Sequence, residues 1–424
     1  MKVFDTVSLD CLATFEMGQS PDSTFVVESD EGVPFLQGCT EFGAVTPRSV
    51  VNCTHPKKVC KPGDILISVR APVGDLNKAD REYCIGRGLA AVRFCDNIDA
   101  NFGWHLLQYC VMGLRIVAQG STFEAIGKNE LANLKVLQIP LPEQRRIAEI
   151  LDTIDEAIQK TEALISKLKA MKQGLLHDLL TRGLDKNGKL RNPKAHPEQF
   201  KNSPLGRIPR EWEVEVLGEL CLQSGGSVQT GPFGSQLHAK DYKDRGIPII
   251  TVEHLGDNEI IHNNLPLVGK TDYERLGRYL LKTGDLVFSR VGAIDRCAYV
   301  SKQENGWLFS GRCLRVRMGG NSIDPRFLSF QLNSYGSRKW ILNHAVGSTM
   351  ACLNTSILCE VPVVLPRIQE QIFIASLLDA HDAHIRAEEQ YRDKLKLQKK
   401  GFMHDLLTGK VRVNMDEAIR DIPS

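Results

Sequence analysis

The sequence predicts a mixed α/β protein of the α+β kind, built as two copies of one plan. Each copy is a globular module followed by a long helix, so the chain carries an internal pseudo-twofold repeat. Three observations lead there. First, residues 143–181 fall on residues 370–408 without a gap when the sequence is shifted by 227 positions. About half of the 39 aligned positions are identical, among them Glu143/Glu370, Gln144/Gln371, Leu151/Leu378 and the shared ending His-Asp-Leu-Leu-Thr. So long an ungapped identity decides the plan before any local reading does. Second, Ile147, Leu151, Ile154, Ile158, Ile165, Leu168, Leu175 and Leu179 step by four and three, a heptad-like stripe interrupted at Thr161 and Lys172. Third, turn and strand landmarks recur in the same order in both halves, with Lys61-Pro62-Gly63-Asp64 answered by Lys282-Thr283-Gly284-Asp285. The offset grows from 214 to 221 to 227 along each half, so shared turns frame inserts of different length.

Residues 1–142 form the first module. Val33–Leu36 follows a glycine and reads as a short strand. Ile65–Arg70 is a β-rich run after a turn, and Gly88–Arg93 is a further strand. Trp104–Ile116 has helical spacing. Pro140 and Pro142 end what precedes them and open the first long helix, 143–182. At 1.5 Å per residue, 39 helical residues extend about 58 Å, too long for one small domain without a partner along its length. Residues 183–211 are rich in Gly, Pro, Asn and Lys with no apolar period, which predicts a linker. The second module spans 212–366 and the second long helix 367–408. The second helix has a poorer stripe, with His381, Glu388, Arg392 and Lys399 at the places of Ile154, Thr161, Ile165 and Lys172. The tail 409–424 is short and polar.

Composition is that of a globular protein, with 42% hydrophobic and 25% charged residues. No apolar run reaches the ~18–20 residues of a membrane span, and the start lacks a signal-peptide pattern, so the expected location is the cytoplasm. The twelve cysteines are scattered singly without zinc-type spacing, which predicts reduced thiols. Net charge is only +2. Residues 1–142 balance to −3, 206–366 to +2 and 183–205 to +3. Any nucleic-acid contact must then use local patches or share phosphate contacts with a partner.

Catalytic motifs fail one after another. Val268-Gly269-Lys270-Thr271 has Asn264 where a phosphate-binding loop needs its first glycine. The Gly-rich run 225–234 lacks the dinucleotide order, and no H-E-x-x-H, G-x-S-x-G or amino-methyltransferase Asn/Asp-Pro-Pro-aromatic tetrapeptide occurs. His177-Asp178 and His404-Asp405 are adjacent on a helix and point about 100° apart, which suits helix-end packing better than acid–base work.

Several stretches resemble the specificity (S) subunit of type I restriction–modification systems. They are Ser68-Val69-Arg70-Ala71-Pro72-Val73-Gly74-Asp75, Cys84–Ala91, Gly120-Ser121-Thr122, Pro140–Gln144, Thr230–Leu237, Phe288–Gly292 and the wording of 186–212. Together with the repeat, the likeness covers nearly the whole chain. It implies two globular target recognition domains separated by two long antiparallel helices, each domain reading one half of a bipartite site in double-stranded DNA. The helices would set the unread spacer and dock two methyltransferase (M) subunits, with restriction (R) subunits joining them. The chain itself would be non-catalytic and carry no cofactor or metal. S-adenosylmethionine, ATP and Mg would sit on the partners of the endonuclease and adenine-N6 methyltransferase complex. A rod of about 58 Å covers about 17 base pairs, enough to hold two readers a helical turn or so apart.

Base readout calls for Arg, Lys, Asn, Gln or Ser/Thr on turns facing a groove. The expected DNA contacts are Arg70, Arg87, Ser121, Thr122 and Lys128 in the first module. In the second they are Ser235, Gln236, His238, Lys240, Arg290, Ser348 and Thr349. Helix–helix packing is expected at Ile147, Leu151, Ile154, Ile158, Ile165, Leu168, Leu378, Ile385 and Leu395. Two other classes fit the composition: a self-contained methyltransferase with a divergent cofactor site, which would bind S-adenosylmethionine alone, and a coiled-coil protein adaptor, indifferent to DNA sequence. Neither accounts for repeated helices and turns around diverging inserts.

Overall fold

The repeated Lys-x-Gly-Asp turn shows how duplicated sequence becomes duplicated structure. Gly63 and Gly284 take φ +88° and +94°, the left-handed region where a side chain is strained. The turn then brings the next aspartate back on itself: the Lys61 amide donates to Asp64 (2.8 Å) and the Lys282 amide to Asp285 (2.7 Å). Each buried carboxylate also receives a two-pronged arginine, Arg93 on Asp64 and Arg317 on Asp285, at 2.6–2.7 Å. The strand that leaves the turn is thereby tied to the strand that carries the arginine.

A computed structural model describes residues 4–118, 125–233, 236–347 and 351–413. The chain forms two units, Met1–Ala163 with Glu388–Ser424 and Leu164–Ala387. Each unit therefore owns one globular module and a part of each long helix.

The first unit holds a four-stranded antiparallel sheet in the order Ala13–Met17, Leu89–Phe94, Ile65–Ser68, Leu76–Lys78. A five-stranded sheet lies in the order Val26–Val27, Asn52–Cys53, Val33–Leu36, Tyr83–Ile85, Val59–Cys60, with the third and fourth strands parallel. The second unit repeats this plan. Ser227–Thr230, Cys313–Arg317, Leu286–Ser289 and Cys297–Tyr299 make its four-stranded antiparallel sheet. Tyr242–Lys243, Leu267–Val268, Ile247–Ile250 and Leu308–Phe309 make another, again with one parallel pair. In both units the module's first strand pairs with its last, Thr6–Ser8 with Lys135–Leu137 and Glu213–Val216 with Pro362–Leu365. That pairing brings the chain back to its starting point just before the long helix begins.

The long helices run Leu141–Thr181 and Ile368–Leu407. Within each unit their segments are antiparallel, since partners move in opposite directions along the chain. In the first unit Asp155 pairs with Lys399 and Glu162 with Lys396, both at 2.7 Å. In the second, Lys172 pairs with Asp382 at 2.7 Å, with both side chains about nine-tenths buried. These are two versions of one contact, because Asp155 and Asp382, like Lys172 and Lys399, are 227 positions apart. Lys172, which interrupts the apolar stripe in sequence, is thus a buried interhelical cation. Thr161, the other interruption, is also buried and donates its hydroxyl to the Ala157 carbonyl at 2.8 Å.

The shared Glu-Gln at the helix starts has a structural role. Gln144 donates to the Ile139 carbonyl (2.7 Å) and accepts from the Asp99 amide (2.8 Å). Gln371 does the same with Pro366 (2.8 Å) and Asp324 (2.9 Å). Glu143 takes Arg412 at 2.6 Å and Glu370 takes Arg191 at 2.7 Å, in each case an arginine just beyond the end of the other long helix. Asp152 accepts from His105 (2.8 Å) and its counterpart Asp379 pairs with Arg326, so each module's own helix is tied to a long helix. Burial holds the His105 imidazole below its usual pKa, against the pull of Asp152.

Two expectations need amendment. Residues 183–211 are not a loose linker. They contain the antiparallel hairpin Phe200–Ser203 with Gly206–Pro209, and Leu184, Ile208 and Trp212 lie in one core with Leu179, Ile374 and Leu378. Short turns of Gly, Pro and Asn hid this, because a hairpin of four-residue strands has no helical period. The packing residues also divide by role. Ile147 and Leu151 join Met403, Leu406 and Leu407 in the core that includes the first module's Leu106 and Leu107. Ile158, Ile165, Leu168, Ile385 and Leu395 are buried, as is Leu378. Ile154 is only half-buried.

Lys172→Ala should lower stability by about 3–5 kcal/mol, because Asp382 is left charged and buried. Lys172→Met combined with Asp382→Leu should recover most of that loss. Denaturant unfolding of the full chain measures both.

Candidate nucleic-acid interface

One end of the four-stranded sheet gathers four segments in each unit, and the sheet register makes them equivalent. In the first unit Met17 opposes Ala90, so Gly18-Gln19-Ser20 leaves the sheet beside the turn 86–88. The Gly18 amide donates to the Leu89 carbonyl and the Gln19 amide to Ile85, both at 2.9 Å. The turn after Ile65–Ser68 joins them, with the Val69 amide on the Gly88 carbonyl at 2.9 Å. The Ser68 hydroxyl shapes this turn, donating to the Pro72 carbonyl (2.7 Å) and accepting from the Asp75 amide (2.8 Å). The fourth segment starts at Ala125, bridged to Arg70, and the Ile126 amide donates to Val69 at 2.9 Å.

The second unit builds the same end. Thr230 opposes Leu314, and the Gly231 amide donates to the Cys313 carbonyl at 3.1 Å. The Arg290 amide reaches the Arg312 carbonyl and the Leu353 amide reaches Arg290, both at 2.8 Å. Val291 bridges Cys352 as Arg70 bridges Ala125. The Ser289 hydroxyl also stays within its own turn but makes a shorter link, donating to the Val291 carbonyl at 2.9 Å.

This end collects several of the expected contacts. Arg70, Arg87 and Lys128 are exposed there, the last opening the short helix Lys128–Ala132 beside the fourth segment. Arg290 is half-buried at the matching place of the second unit. Gln236, His238 and Lys240 lie on the segment that continues from it, and their environments differ. Gln236 is engaged from both sides: its side chain accepts from Tyr279 at 2.8 Å and its carbonyl from Arg275 at 2.7 Å. His238 is exposed, with its amide donating to Asp241 at 2.7 Å, and Lys240 is exposed. Ser121, Thr122, Ser235, Ser348 and Thr349 lie outside the described residues. Three residues at this end escaped the sequence reading. Arg296 and Arg312 are exposed on its turns, and Phe233, against the turn that carries Arg312, is 61% exposed. The signal for Arg312 was its place at the start of a repeated strand, but only pairing shows that this strand begins at the shared end.

All twelve cysteines are free. Burial pushes the thiols of Cys60, Cys84, Cys221 and Cys313 up to about 12, far from thiolate chemistry. Among the described residues no three His, Cys, Asp or Glu converge as metal ligands, and no described helix is long and apolar enough to cross a membrane.

A sequence profile described as the type I restriction modification DNA specificity domain matches residues 5–170 and 209–397. The chain is 41% identical over 166 residues to the MjaX type I restriction enzyme specificity subunit of Methanocaldococcus jannaschii, a match spanning 39% of each protein. It is 26% identical over 383 residues to the EcoBI specificity subunit of Escherichia coli, covering 86% of this chain and 76% of that one. Among solved structures, the S subunit of a type I system from M. genitalium aligns with a TM-score of 0.55 at 14% identity, over 96% of both chains. A chain from a study of type I restriction–modification complex assembly and conformational transition aligns at 0.58 and 16%, over 97% of this chain and 99% of that one. At these identities the structural likeness speaks for the fold.

Alanine at Arg70, Arg87, Arg290 or Arg312 should separate two kinds of contact in a reconstituted complex on DNA duplexes. A base-reading arginine loses about 1–3 kcal/mol of discrimination at one position. A phosphate-binding one weakens every sequence alike and lowers the salt slope by about one. Unchanged affinity and slope for all four would remove this sheet end from the interface.

Proposed function

The chain belongs to the type I restriction modification DNA specificity family, and from that premise we propose that it selects the DNA sequence on which a type I complex acts. Each unit reads one half of a bipartite site with the four-segment end of its sheet. The observation that carries this reading is the contrast at that end. Most of its backbone bonds recur in both units, apart from that of the Gln19 amide, whose place Pro232 takes without a donor, whereas its side chains differ: Arg70, Ser20 and Arg87 stand where the second unit has Val291, Phe233 and Gly311. A fixed frame with exchanged polar and apolar groups suits two readers of different sequences.

The long helices serve as the scaffold between the readers and as the docking face for methyltransferase subunits. Large apolar side chains remain exposed on them, including Tyr391, Leu397 and Phe402 in the first unit and Met171, Ile372 and Phe373 in the second. Exposed apolar groups of this size on a helix suit a partner surface. S-adenosylmethionine, ATP and Mg belong to the partner subunits in this reading, restriction subunits complete the complex, and the complex works in the cytoplasm.

Co-expression with a type I methyltransferase subunit, followed by mapping of methylated adenines, should reveal one two-part motif. A soluble complex that adds no methylation would sink the reading. Inserting one helical turn, about four residues, between residues 163 and 164 and again between 387 and 388 should lengthen the unread gap and leave both half-sequences unchanged. The same methylation map reads that outcome.

A further inference from the structure

We propose that Phe233 is a specificity-determining contact of the second unit, presenting an apolar face to a base in the half-site that this unit reads. The inference rests on the function proposed above and goes beyond it to one residue and one chemistry. Phe233 is 61% exposed, although the two residues before it are packed into the sheet end. Gly231 and Pro232 before it are buried. A Cβ on Gly231 would lie 2.2 Å from the Ser310 carbonyl oxygen, so the strand end is pressed onto the turn 310–312. The ring of Pro232 limits the backbone further. On the far side the Phe233 carbonyl accepts from the Gln236 amide at 3.3 Å, and the Gln236 side chain is itself held by Tyr279. A large apolar side chain exposed to water gains little in the free chain, and its backbone is held at the sheet end.

The comparison between units locates what this position does. Sheet register equates Phe233 with Ser20 and Gly311 with Arg87. In the second unit Gly311 closes on the aromatic residue, since a Cβ there would meet the Phe233 Cβ at 2.8 Å and the Pro232 carbonyl oxygen at 2.4 Å. In the first unit the Ser20 hydroxyl accepts from the Arg87 amide at 3.3 Å and the Arg87 side chain is exposed. One place on the shared frame therefore carries a serine with an arginine in one unit and a phenylalanine with a glycine in the other. The first combination offers hydrogen bonds and positive charge. The second removes the side chain of position 311 and offers an aromatic face, with Arg312 exposed next to Gly311 and Arg296 exposed on another turn of the same sheet end, both able to meet phosphates. Phenylalanine contacts DNA bases in two ways: against the 5-methyl of thymine in the major groove, or as a wedge at an unstacked base step. Both use an apolar base surface.

The test uses the full chain reconstituted with methyltransferase subunits and duplexes carrying the two-part motif found by methylation mapping. Phe233→Ala and Phe233→Ser should each weaken cognate binding about tenfold, with discrimination at the half-site of the first unit intact as an internal control of folding. Uracil in place of each thymine, and 2-aminopurine in place of each adenine, then separate the two sources. A methyl contact makes one uracil cost the wild type about tenfold and the alanine variant nothing. A wedge raises 2-aminopurine emission at one step with the wild type and not with the variant. The proposal is overturned if the variants bind cognate duplex as tightly as wild type with unchanged responses to both base analogues. It is equally overturned if affinity falls alike on cognate and scrambled duplexes, or if the loss is in methyltransferase subunit binding. A wild-type complex with no sequence preference at all would instead refute the underlying function.

Discussion

Everything in this molecule depends on one constraint: the long helix must pack antiparallel against a diverged copy of itself. An antiparallel pair of related helices makes every contact twice, once in each unit. The buried pair Lys172–Asp382 in one unit and Asp155–Lys399 in the other are that duplicated contact. A buried lysine is expensive unless a carboxylate meets it, so an out-of-register arrangement would strand charge in an apolar interface. The apolar positions around it tolerate exchange, as Ile154 to His381 and Ile165 to Arg392 illustrate. The charge does not, and it is the part that both copies retain.

The same logic extends to the ends of the helices. The repeated Glu-Gln secures the loop that enters each helix, and the glutamate captures an arginine that follows the opposite helix. Asp152 and Asp379 then fasten each module's own helix to the scaffold. The sheet end is thus tied to the scaffold, and the side chains that face each other on it change together, Ser20 with Arg87 in one unit and Phe233 with Gly311 in the other. Turns held by backbone bonds accommodate the pair Ser20 and Arg87 in one unit and the pair Phe233 and Gly311 in the other on the same sheet register. Reading surfaces of this kind gain precision from the elements behind them.

The duplication, the two long helices, the strands after each Lys-x-Gly-Asp turn and the absence of catalytic motifs were legible in the chain, because periodicity and repetition are local properties. The folded hairpin in 183–211 was not, since its strands are too short to carry a pattern and its core residues are scattered. Neither were the roles of Lys172 and Thr161, which look like breaks in an apolar stripe until their neighbours across space are known. Residue type within repeated turns singled out Arg70 and Arg290 at this sheet end and not Arg312 or Phe233, whose place there only strand pairing reveals.

The sequence by itself determined that one plan was used twice, and where the copies agree or diverge. Only the tertiary structure decided which divergent positions share a surface. Antiparallel register brings residues 18–20, 69–74, 86–88 and 125–128 to one sheet end, and their counterparts to another. The physical reason is that strand pairing joins segments tens of residues apart through backbone hydrogen bonds, which carry no side-chain signature in the sequence.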